Sequence, residues 1–94
     1  MLSIIDRVDS GIALLDDRGP AGWRSRIDVD ALDVGKTDNC VVAQVFGDYY
    51  RGINELDIGL SEAGDVYGFD AESHGEFKEL TDAWYFRLTE LRKD

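Results

Sequence analysis

Apolar side chains fall into three regular stripes along the chain, separated by stretches where the pattern is brief or absent. In residues 3–18, Ile5, Val8, Ile12 and Leu15 recur at spacings of three and four, which draws one buried helical face. Ser3 suits the N-cap, with Asp6 at the capping-box distance. Arg18-Gly19-Pro20 marks the stop: a cation in the last turn, a glycine free to take positive φ, then a residue that cannot continue the helix. Gly11, inside this helix, costs about 1 kcal/mol relative to alanine.

The second stripe lies in the longest apolar-rich run, Thr37 to Tyr50, near the middle of the chain. It predicts a central helix from Asp38 to about Asn54, capped by Thr37 or Asp38. Val41, Val45, Tyr49 and Ile53 mark one edge, with Val42, Phe46 and Tyr50 beside it. A strand over Cys40–Phe46 is the competing reading, because three valines are β-branched and Gly47-Asp48 suits a turn. The pattern's continuation past Gly47 favours the helix. The third stripe is Phe77, Leu80, Trp84, Leu88 and Leu91, with Glu76 and Glu79 early and Arg87, Arg92 and Lys93 late, as the helix dipole prefers.

Between the stripes the pattern is weaker. Pro20 to Arg26 suits a short helical turn with Trp23 over the core, and another turn is expected near Val29–Leu32 before Gly35 breaks it. Residues 55–75 are acidic and turn-rich, with a short helix over Leu60–Gly64 capped by Ser61 and a turn at Gly68-Phe69-Asp70 that tucks an aromatic ring under the domain. The expectation is an all-α fold: a small single-domain helical bundle of three main helices plus short helical turns, spanning residues 1–94.

Composition narrows the class further. With 94 residues, 44% of them hydrophobic, the chain can bury a core without staples. One cysteine permits no internal disulfide, and no basic leader or membrane-length apolar run is visible, so a cytoplasmic setting is expected. The net charge is −10, and residues 54–82 hold nine acids against Lys78 alone. Such a field repels phosphate backbones and anionic lipid, so no direct nucleic-acid or membrane binding is expected; a protein partner with a basic surface is. Solubility is the simpler use of the same charge.

The candidate chemistry is thin. Cys40 near a helix N-terminus has the position of a thiolate nucleophile, but Asp38 opposes that effect and the lone histidine, His74, sits among acids. Asp28, Asp30 and Asp33, followed by Asp38, suggest a cation site, yet they miss the calcium-loop spacing: Leu32 stands at position five, Asp33 at six and Asn39 at twelve. One cysteine and one histidine make no structural zinc site, and no phosphate-cradling glycine loop exists. No catalytic, metal or cofactor residue is therefore assigned. Consecutive Trp84-Tyr85-Phe86 cannot all face one side of a helix, so at least one ring belongs at a rim or partner surface. Asp57, Glu62, Asp65, Asp70, Glu72 and Tyr85 are the candidate partner-binding residues.

Scattered positions from Gly22 to Trp84 carry a resemblance: Gly22-Trp23, Arg26-Ile27-Asp28, Leu32-Asp33, Cys40-Val41, Gln44, Phe46-Gly47, Tyr49, Gly52, Gly59-Leu60, Gly68-Phe69 and Leu80-Thr81-Asp82-Ala83-Trp84. In these the chain resembles small acidic proteins of actinobacteria and their phages. The resemblance implies an actinobacterial or phage setting and a helical domain, and assigns no site. The function expected is a non-enzymatic protein-interaction domain, a phage-encoded modulator of a host protein. Mimicry of DNA by its carboxylates is the sharper version. A self-assembling accessory protein is the alternative, and an enzyme or metal protein using Cys40 or Asp28, Asp30 and Asp33 is the remaining class.

Overall fold

In a computed structural model, which describes residues 2–92, the three stripes become helices and the turn-rich stretches become short helices and turns. The order is α1 (Ile4–Arg18), a 3-10 turn (Trp23–Arg26), α2 (Val41–Phe46), α3 (Tyr49–Leu56), α4 (Leu60–Asp65) and α5 (His74–Arg92). The fold is all-α, with no strand among the described residues, so the strand reading of residues 40–46 falls away.

The expected central helix is two helices. Gly47 adopts φ 89°, the left-handed region that ends α2, and its N–H closes on the Ala43 carbonyl at 2.8 Å. Asp48 is extended and caps α3 by accepting from the Arg51 N–H at 2.9 Å. The start also shifts. Neither Thr37 nor Asp38 caps α2; Cys40 does, its Sγ accepting from the Ala43 N–H at 3.4 Å. A turn held by Asn39 N–H and Cys40 N–H on the Lys36 carbonyl occupies the positions given to the first helical turn.

Smaller corrections follow from packing. On α1 the buried face is Arg7, Val8, Gly11, Leu14 and Leu15, so Ile5 points to solvent and Ile12 only flanks the core. Gly19 ends α1 without positive φ; it stays extended while its N–H reaches the Leu15 carbonyl at 2.8 Å. Gly59 caps α4 in place of Ser61, and the Glu62 carboxylate accepts the Gly59 N–H at 3.1 Å. Ser73 starts α5, accepting from the Glu76 N–H at 3.3 Å.

One core joins these elements. Val8, Leu14 and Leu15 of α1 meet Leu80, Trp84 and Leu88 of α5, while Val41, Val42, Val45, Ile53 and Leu56 fill the other side. The Phe69 ring stacks on Trp84 with centroids 5.8 Å apart, so the expected tucked aromatic is present. Trp84 Nε1–H donates to the Gly68 carbonyl at 2.8 Å, which ties the loop after α4 to the middle of α5. Arg87 bridges α5 to Asp9 of α1 at 2.7 Å. Among the described residues, no helix is long and apolar enough to cross a membrane.

Candidate functional site

Arg7 is the one buried charged residue of the described core, and it organises the most developed surface feature. Its position on the inner face of α1 follows from helical geometry: Arg7 lies three residues after Ile4 and four before Gly11. Its guanidinium donates to the Gly64 carbonyl at 2.8 Å, the Asp70 carbonyl at 3.1 Å and the Glu76 carboxylate at 3.0 Å. One side chain thereby joins α1, the end of α4, the loop that follows, and the first turn of α5.

Around it opens a groove. One part, about 260 Å³, is lined by Arg7, Leu60, Asp65, Asp70, Glu72 and Glu76, among others. A second part, about 500 Å³, shares Arg7, Asp65, Glu72 and Glu76 with it and extends to Leu2 and Val66. Glu76 is neutralised by Arg7, whereas Asp65, Asp70 and Glu72 have no ion-pair partner among the described residues. Leu60 and Leu2 stand exposed on its walls. The groove is therefore anionic with apolar edges.

The six candidate partner-binding residues divide accordingly. Asp65, Asp70 and Glu72 converge on the groove. Glu62 is on α4 but engaged as the cap partner of Gly59, and Asp57 sits at the end of α3 with φ 58°. Tyr85 lies on the outer face of α5, 45% exposed, with Phe86 beside it at 59%. Trp84 is fully buried, so two of the three consecutive rings face outward. Asp82, three and four residues before them, lies exposed on that same face.

The alternative chemistries look different in three dimensions. Cys40 is 2% exposed, and burial pushes its thiol above the ordinary value of 9.0, against the lowering by its own backbone hydrogen bonds. Its place at a helix N-terminus serves capping. Asp28 and Asp33 accept from the N–H groups of Asp30 and Gly35, at 3.0 and 2.9 Å, as loop-turn residues do. Among the described residues no three His, Cys, Asp or Glu side chains form a group able to hold a metal ion.

The chain matches no protein-family model, no curated protein and no solved structure. Function must be argued from the groove and the outer face of α5. Sequence reasoning missed Arg7, Leu60, Phe86 and the exposed Tyr50. Arg7 had a signal: Gly11 and Leu14 extend the α1 stripe onto its side. Glu76 counted there only as a first-turn acid, because its partner lies 69 residues away.

Proposed function

We propose that this chain is a non-enzymatic protein-interaction domain that receives a basic segment of a partner protein in the groove around Arg7. The observation that carries this reading is the convergence of Asp65, Asp70 and Glu72, without compensating cations among the described residues, beside exposed Leu60 and Leu2. Uncompensated carboxylates attract Lys and Arg, and the leucines offer apolar contact to the stems or neighbours of those side chains. Arg7 keeps the groove's floor in place. Its Nε and Nη2 donors are committed to Gly64, Asp70 and Glu76, and its charge is paired with the Glu76 carboxylate, so it holds the shape more than it repels a cation. A chain of net charge −10 also steers a basic partner at long range. Occupying a host protein in this way is the role a phage-encoded modulator would serve.

The test is fluorescence anisotropy with labelled peptides that alternate Lys or Arg with Leu, at low and high salt. Binding should weaken steeply with salt, and Asp65→Lys with Glu72→Lys should weaken it about tenfold or more, each rim charge contributing up to about 1 kcal/mol and the reversal adding repulsion. Binding that ignores both salt and the charge reversal overturns the reading.

Exposed Tyr85 and Phe86 favour a second reading, self-association through α5. Sedimentation across a concentration series, on the parent and on a Tyr85→Ser, Phe86→Ser variant, separates it: only self-association gives a concentration-dependent mass that the variant loses.

A further inference from the structure

A cleft of about 210 Å³ shares Asp70 with the groove and is lined by Tyr49 and Tyr50 of α3, Phe69 of the loop after α4, and Phe77 of α5, among others. We propose that this cleft binds an alkylammonium group, the N-methylated head of a small molecule or of a lysine side chain.

The Phe69 ring is stacked on Trp84 and Tyr67, with centroids 5.8 and 6.1 Å apart, so Tyr49, Tyr50 and Phe77 are the rings left to meet a ligand. The Tyr49 and Tyr50 rings stand nearly perpendicular, at 84° with centroids 5.3 Å apart, and form two walls of a corner. Among the described residues, Asp70 is the only charged one lining the cleft. Ring faces carry negative quadrupole charge, so they hold a cation without hydrogen bonds, and a carboxylate at the edge adds direct attraction. An anionic ligand would be repelled by the same groups.

The Tyr49 hydroxyl belongs to the wall of the cleft. Tyr49 is 8% exposed, and its oxygen is buried with no hydrogen-bond partner among the described residues. That oxygen is closed off from the open space of the cleft, so it is a buried polar group of the wall and not a contact for the ligand. Burial first, and the negative field of Asp70 second, push its ionisation upward, so the wall of the cleft lies within the carboxylate's field. Cys40, also lining the cleft, feels Asp70 in the same sense. Space is sufficient: a water's share of liquid volume is about 30 Å³, and a trimethylammonium head holds four non-hydrogen atoms. Methyl groups on nitrogen remove hydrogen-bond donors, so such a head leaves water more readily than a plain ammonium and needs no polar lining beyond Asp70.

The experiment is an NMR titration of the whole chain with choline, with its neutral isostere in which carbon replaces nitrogen, and with a short peptide carrying trimethyl-lysine. Saturable shifts centred on Tyr50, Phe77 and Asp70 are expected with choline or the peptide and not with the isostere. Tighter binding of the peptide assigns a lysine side chain as the source, and tighter binding of choline a small molecule. Tyr50→Ala, at a ring 64% exposed, and Asp70→Asn should each weaken binding about fivefold while the far-ultraviolet spectrum is unchanged. Glu72→Lys, which alters the groove but not the cleft lining, should leave choline binding in place, so failure here and failure of the basic-partner reading are separable. Absence of saturable shifts with both cations, or equal binding of the isostere, overturns the proposal.

Discussion

At the scale of single residues, two buried polar groups carry opposite energetic signs. Arg7 satisfies two backbone carbonyls and a carboxylate from three distant segments. Arg7→Met keeps much of the stem's packing but leaves those acceptors without a donor, and it should destabilise the protein by about 2–4 kcal/mol in urea unfolding. Tyr49 is the reverse case, a hydroxyl buried without a partner among the described residues. Tyr49→Phe should therefore leave stability unchanged or raise it by about 1 kcal/mol. Tyr49, together with Cys40, sets an alkaline limit. Burial raises the folded-state ionisation of Tyr49 above its ordinary 10.0 and of Cys40 above 9.0. Below those values both states keep the proton and the contribution is fully present. Above them the unfolded chain loses the proton first, so stability should fall as pH rises past about 9. Urea midpoints from neutral to alkaline pH check this, and Tyr49→Phe should flatten the portion above pH 10.0. The sequence marks neither residue. A charged side chain beside Val8 reads as solvent-facing, and a tyrosine in an apolar run reads as a satisfied core ring.

Among the elements, the instructive case is the broken central helix. Val45, Tyr49 and Ile53 keep a spacing of four straight across Gly47 and Asp48, and all three are buried. The chain stops, turns and restarts, yet the apolar positions still face the core, so periodicity alone cannot see the break. The local chemistry does carry it: a glycine at positive φ followed by an Asp N-cap is a helix end and a helix start side by side. Gly11 makes the complementary point. By intrinsic propensity, alanine there should stabilise α1 by about 1 kcal/mol. In the fold, a Cβ at Gly11 would meet the Trp84 ring at 2.8 Å and the Tyr67 carbonyl closer still. Gly11→Ala is therefore expected to destabilise by about 1–3 kcal/mol, because overpacking outweighs propensity. Thermal unfolding decides between the two signs. The glycine is the seat on α1 for the indole of α5.

For the whole molecule, charge is the dominant long-range term. A net charge of −10 on a 94-residue chain, with nine acids in residues 54–82, makes the folded state repel itself. Added sodium chloride screens that repulsion, so the melting temperature at neutral pH should rise with salt, while binding of a basic peptide falls. Calorimetry over a salt series checks the first. What the sequence by itself determined is the all-α class, the first and last helices, the tucked Phe69, the outward ring at Tyr85 and the acidic bias of the 54–82 segment. These follow from local periodicity, turn chemistry and charge counts, which need no knowledge of distant neighbours. Only the tertiary structure decided that Asp65, Asp70 and Glu72 share one groove while Asp57 and Glu62 do other work. It also decided that Arg7 is buried, that Cys40 caps a helix, and that Tyr49, Tyr50, Phe69 and Phe77 surround one cleft. Each of these depends on side chains brought together from separate elements, and that meeting is set by how the helices pack against one another.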